Sequence, residues 1–122
     1  MAAPLPAEHV LNIRKPYFDL IRQGIKSVEV RVGYAKIRKI AAGDFLRFTS
    51  GDDTLRTRVT EVVEYPSFEA MLAAEDGSAI GAQSMTHDEL MALIRSIYPP
   101  EKEALGVFAI HIELVAEHRA LP

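Results

Sequence analysis

Lys26, Glu29 and Arg31 set an ammonium, a carboxylate and a guanidinium within six consecutive residues. A point cation and a planar cationic fork are the two donor types that hold phosphate, and a carboxylate between them can orient the fork or accept from an exocyclic amine or a ribose hydroxyl. The surrounding Ser27-Val28-Glu29-Val30-Arg31-Val32 has the period of a strand, which sends the valines to a core face and Ser27, Glu29 and Arg31 to the other. That polar face reads as a ligand site. Two plainer readings stand beside it. A solvated Glu29–Arg31 pair would contribute about 0–1 kcal/mol, and a buried network of all three charges would be felt in stability rather than in binding.

Nucleotides and single-stranded RNA are held by stacking as well as by charge, and Tyr17, Tyr34 and Tyr98 are the candidate platforms. Tyr34 is the best placed, just past the strand and beside Lys36, Arg38 and Lys39, a basic group that reads equally as a solvated face. Tyr17 and Tyr98 fit the core side of a helix equally well. Lys15 joins them as a candidate ligand contact. If a substrate is turned over, Lys26 and Glu29 are the catalytic candidates, with Glu29 taking a 2′-hydroxyl proton and Lys26 stabilising the phosphorane. Other chemistry lacks its parts. The chain has no cysteine, which removes disulfides, thiolate metal sites and a thiol nucleophile. His9, His87, His111 and His118 show no metal-ligand spacing, and no Ser-His-Asp set, P-loop or dinucleotide fingerprint occurs. No metal and no cofactor are expected, and His111 reads as structural.

A chain of 122 residues fits one domain, burying about 65% of the surface its unfolded form exposes. Residues 8–116 form the expected domain, between a flexible arm at 1–7 and a tail at 117–122. No secretory leader and no membrane span is visible, so a cytoplasmic protein that engages no membrane is expected, as a monomer or weak dimer. The net charge of −3 hides an asymmetry: residues 1–58 carry +5 and residues 59–122 carry −8. Local field, not net charge, attracts a polyanion, while broad duplex coating needs many phosphate contacts. A small, focused anion site is the outcome.

The elements that must position these residues follow from pattern. His9–Arg14 alternates as a first strand. Lys15-Pro16 opens a helix with Tyr17, Leu20 and Ile21 on one face, and Gly24 ends it as a C′ residue. After the polar-apolar strand and a short basic helix at 34–40, Gly43-Asp44 turns into a strand at 45–49. Ser50–Asp53 makes a hairpin, and a long strand to Tyr65 carries a bulge near Thr60-Glu61. Three strands this close in sequence favour antiparallel pairing. Ser67 caps one helix; Thr86 with Glu89 caps a stronger one whose Leu90, Leu93, Ile94 and Ile97 make a buried face. Val107–Val115 is the last strand. The order has no regular β-α alternation, so a doubly wound sheet is disfavoured and a small, partly closed β-barrel flanked by helices fits, with a cleft at its rim.

These residues resemble the ASCH domains of the PUA-like superfamily, whose GxKxxExR signature is matched by Gly24, Lys26, Glu29 and Arg31. Lys15-Pro16-Tyr17-Phe18, Gly43-Asp44, Ser67-Phe68, Ile97-Tyr98-Pro99 and Gly106-Val107 extend the resemblance over about residues 9 to 115. It implies an α+β fold with a small, partly closed mixed β-barrel of PUA-like type, a cleft lined by the signature, and an RNA-related role. The family includes presumed RNA-binding modules, ribonucleases, and a branch that hydrolyses acetylcytidine with a lysine, a threonine three positions later and a glutamate. Here Lys26 stands at the lysine, Glu29 replaces the threonine, and Gln83 stands where the glutamate would be. Losing hydroxyl and carboxylate together disfavours amide hydrolysis. The leading expectation is a module that binds single-stranded RNA or a nucleotide-like small molecule, with Lys26 and Arg31 on phosphate and Glu29 on base or sugar. The alternative is a metal-independent hydrolase acting on RNA or, with less support, on a modified nucleoside amide.

Overall fold

The computed structural model describes residues 5–116. Five strands, β1 (Glu8–Asn12), β2 (Val28–Val32), β3 (Phe45–Ser50), β4 (Asp53–Tyr65) and β5 (Val107–Leu114), form one sheet in the order β1-β3-β4-β5-β2. β1 runs parallel to β3 and the other pairings are antiparallel. Around them lie α1 (Lys15–Arg22), α2 (Ala35–Arg38), α3 (Phe68–Ala74), α4 (His87–Ile97) and a 3-10 turn at Pro100–Leu105. The protein is therefore α+β, with a partly closed mixed barrel whose two edge strands, β1 and β2, face a seam.

Local chemistry sets the boundaries. Pro16 sits in the first turn of α1, where a missing N–H costs nothing. The helix ends as Gly24, at φ +79°, donates to the Ile21 carbonyl and Ile25 to the Leu20 carbonyl, both at 3.0 Å; this is a Schellman closure. It delivers Lys26 directly to the mouth of β2. Thr86 and Glu89 form a reciprocal capping box on α4, and Ser67 caps α3 through the Ala70 N–H. The register of β4 against β5 shifts between Val59 and Glu61, where the alternation changes phase.

Two apolar clusters hold the sheet. Leu11, Leu46, Phe48, Val59 and Ile110 fill the barrel interior with Phe18 and Ile21 from α1, while Val28, Val32, Val107 and Ala109 pack on the other face against Phe68 and Met71 of α3. Burying each large side chain of this kind contributes about 1.5–3 kcal/mol. Among the described residues no helix is long and apolar enough to cross a membrane.

Three expectations change. β2 does not join a three-strand antiparallel run with β3 and β4. It pairs with β5, because α2 carries the chain away before β3 and only the 50–53 turn is tight enough for a hairpin. The valine face of β2 is core, but the polar face is also turned inward, toward the barrel interior at the seam, so neither is a solvent face. The apolar stripe of α4 is not a buried face: none of its residues is buried and Ile97 is 50% exposed. Its side chains border a hollow rather than solid packing. Of the expected arm, residues 1–4 lie outside the described residues, as do the expected tail at 117–122 and His118 within it. Ala7 belongs to the hydrogen-bonded frame.

Asp44 builds that frame. Its carboxylate accepts from the Ala7 N–H at 3.2 Å, the Ala41 N–H at 3.0 Å and the His9 ring at 2.8 Å, tying the start of β1 to the turn into β3. Burial is the largest single influence and pushes its pKa up, but the hydrogen bonds from His9, Ala41 and Ala7, with the His9 charge, together outweigh it and hold the carboxyl below its usual value. A depressed folded pKa adds stability above the unfolded value and loses it as pH falls through the folded one. Asp44→Asn is expected to lower the urea midpoint at pH 7, and the gap to wild type should close progressively from about pH 5 downward. A gap that stays constant to pH 2 would refute this account.

Candidate functional site

The start of β2 is clamped by the segment 78–82. The Ala79 carbonyl accepts from both Ser27 N–H, at 2.8 Å, and Val28 N–H, at 3.0 Å. Gly81 lies at φ +91°, and a methyl group there would press within 3.3–3.4 Å of Lys26, Leu20 and Tyr17; glycine lets this backbone run close against the lysine. Lys26 is only 5% exposed. Its Nζ donates to the Val28 carbonyl at 2.7 Å and the Ile80 carbonyl at 2.8 Å, and lies 3.2 Å from Glu29 Oε1. An ammonium has three protons, and three acceptors surround it. The Tyr17 ring lies below, 5.7 Å from Nζ.

Glu29 is 6% exposed, which removes the solvated-pair reading. Its second oxygen accepts from Arg31 Nε at 2.6 Å, and Arg31 Nη2 reaches across the seam to the Asn12 carbonyl at 2.8 Å. Lysine, carboxylate and guanidinium thus converge in one chain of contacts that links the 78–82 segment, β2 and the end of β1. Of the five guanidinium N–H groups, two are used, leaving three without an acceptor among the described residues.

Beside this network a cavity of about 270 Å³ opens at the seam. Asn12, Arg14 and Tyr17 form one wall, Glu29, Val30 and Arg31 the floor, and Ile80–Ala82, Met85 and the stripe of α4 through Tyr98 the other wall. Tyr98 stacks on Phe68 with centroids 5.8 Å apart. Burial pushes its phenol above the ordinary range, against the opposing pull of the Arg31 charge and the Val32 N–H beside it. It therefore stands as a neutral hydroxyl.

Of the residues singled out in the sequence, Lys26, Glu29, Arg31, Tyr98 and Tyr17 border the cavity. Lys26, expected on phosphate, has its protons committed inside the protein. Lys15 does not border the cavity; it is held 2.6 Å from Asp19 on the outer face of α1. Tyr34 also lies outside the lining, 44% exposed beneath the Lys102 ammonium, because it caps α2 at the far end of β2. Arg38 is taken by Glu64 and the Leu105 carbonyl. Gln83 is exposed and outside the lining. His111 is 3.0 Å from Glu75, which also accepts from the Tyr65 hydroxyl; that hydrogen bond, with burial, pushes the phenol up to about 12. Among the described residues no group of three or more His, Asp or Glu could hold a metal ion. Arg14 and the 80–82 wall were not foreseen. Arg14's signal was its place ahead of Lys15-Pro16, at the N-cap of α1; Gly81 signalled only a loop.

The ASCH domain profile matches residues 11–116. The crystal structure of the hypothetical protein PH0355 superposes with a TM-score of 0.81 at 30% identity, covering 88% of this chain and 99% of that one. The solution structure of protein PF0455 from Pyrococcus furiosus gives a TM-score of 0.73 at 31% identity over 90% and 99% of the two chains. Protein EF3133 from Enterococcus faecalis V583, at 14% identity and a TM-score of 0.58 over 99% and 89%, shares the fold alone. No curated protein matches the sequence. The chain belongs to the ASCH domain family.

A buried charge that loses its partner costs about 3–5 kcal/mol. Lys26→Met and Glu29→Gln should each lower unfolding free energy on that scale, and the double variant by clearly less than the two together, as measured by urea denaturation. Strict additivity would show that the pair is not coupled.

Proposed function

For this ASCH-domain protein we propose a binding role: the seam cavity takes one nucleotide, free or within single-stranded RNA. The observation that carries this reading is the composition of the cavity, an apolar and aromatic hollow with cationic groups on its border. Arg31, with N–H groups to spare, and Arg14 at the entrance supply the bidentate donors that phosphate favours. Tyr17 and Tyr98 flank the space where a ring would lie, as stacking recognition requires. At about 270 Å³ the space lies near the small end of ligand sites, roughly 300–1,000 Å³, and suits one nucleoside.

Lys26 acts in this reading as a positioning residue. Its ammonium fixes Glu29, and Glu29 aims Arg31. Turnover has less support, since no serine, threonine or histidine borders the cavity among the described residues, and both Glu29 oxygens already hold a cation.

Titration of the protein with mononucleotides and short single-stranded RNA in EDTA should give binding that weakens steeply with salt. Arg31→Ala should reduce affinity about tenfold or more, the scale of a lost hydrogen bond to a charged group. The RNA should be recovered intact. Affinity indifferent to salt and to Arg31→Ala, or cleavage abolished by Glu29→Gln, would overturn the proposal.

A further inference from the structure

The open edge of β2 carries backbone groups whose destinations can be followed one by one. Ser27 and Gly33, at its two ends, bond toward β5 and the Gly106 turn, with Ile112 N–H donating to the Ser27 carbonyl and Gly33 N–H to the Gly106 carbonyl. In an antiparallel pair such bonding recurs at every second residue. Glu29 and Arg31 therefore bond to β5, and Val28, Val30 and Val32 turn their N–H and C=O groups to the seam.

Val28 is closed by the Ala79 carbonyl and the Lys26 ammonium. Val32 is closed as well, its carbonyl accepting from the Tyr34 N–H and its own N–H lying by the Tyr98 hydroxyl. Val30 stands between them, borders the cavity, and has no partner for its N–H or C=O among the described residues. A donor and an acceptor facing an open cavity are met by water or by a guest that displaces it.

An added β-strand would need alternate residues of the edge free in succession, and both neighbours are taken. The opening is one residue long. In an extended residue the N–H and C=O lie side by side, so the matching ligand is compact, planar, and carries an acceptor next to a donor. A lactam or imide edge has this form. The remaining polar groups around it are chiefly donors, since Arg31 keeps unused N–H groups while both Glu29 oxygens are engaged. A ring with a further carbonyl is favoured over one with an amino group.

We propose that the Val30 N–H and C=O, between the occupied edges of Val28 and Val32, read the imide edge of a uracil-type base in the seam cavity. This rests on the nucleotide-binding reading above and names the base that it would take. Val30 N–H donates to one ring carbonyl, the ring N3–H donates to the Val30 carbonyl, and Arg31 can serve the second carbonyl and a phosphate together.

Calorimetric titration of the whole protein with UMP, CMP, AMP, GMP and N3-methyl-UMP tests the assignment, because the methyl group removes the ring donor and leaves phosphate and stacking surface in place. UMP should bind tightest, about tenfold or more above N3-methyl-UMP, and amide exchange at Val30 should slow when UMP is added. If UMP and N3-methyl-UMP bind alike, or CMP binds better than UMP, the edge is not read in this way, although nucleotide binding survives. If none of the five binds, the functional reading fails along with it.

Discussion

Burying the Lys26 ammonium organises the site. An ion taken out of water at this depth is tolerated only when every proton has an acceptor and a counter-charge is close. Lys26 meets that condition with two carbonyls and one carboxylate drawn from different parts of the chain. The Ile80 carbonyl must come to it, so the 78–82 segment folds against β2. Glu29 must face it, so the polar side of β2 turns into the barrel. Arg31 then answers the second carboxylate oxygen and reaches β1 through Asn12. One demand for charge neutrality thus places three stretches of chain distant in sequence.

The same network explains why the barrel stays open. β1 and β2 are edge strands with no ladder between them, and the Arg31 side chain bridges the gap where backbone pairing would otherwise close it. A side-chain bridge leaves space that a ladder would not. α4 covers that space with apolar residues at partial burial, held in place by its capping box. Such a lining gains less from burial than a close-packed core. It is a form suited to a site that trades packing for access.

Much of this was legible in the sequence, for physical reasons that can be named. Gly24, Pro16, Ser67 and the Thr86–Glu89 pair act locally, and each stands at the boundary it predicted. The valine period showed the strand, and the change of phase near Thr60 showed the bulge. The signature showed that Lys26, Glu29 and Arg31 belong together. What the pattern could not carry was non-local. Nothing near Lys26 announces the Ile80 carbonyl, 54 residues away, so a buried lysine looked like a free one. An amphipathic stripe reads the same whether it faces packed core or a hollow, which is why the face of α4 was misjudged. Tyr34 was favoured for its basic neighbours, yet sequence proximity to β2 does not place a side chain at the right end of it.

A carboxylate rather than a hydroxyl at position 29 has consequences that reach beyond that residue. In a lysine–threonine arrangement, a lysine can remain available to act on the hydroxyl beside it. With Glu29 in place, a full negative charge lies 3.2 Å from the ammonium, and the pair becomes a structural unit. Gln83 cannot supply an acid, since an amide does not titrate and this one is exposed and outside the cavity lining. The lysine fixes the carboxylate, and the carboxylate fixes the guanidinium. The pair thus serves as a scaffold for the arginine, and the polar groups left unsatisfied beside the cavity are the spare N–H groups of Arg31 and the open edge of β2.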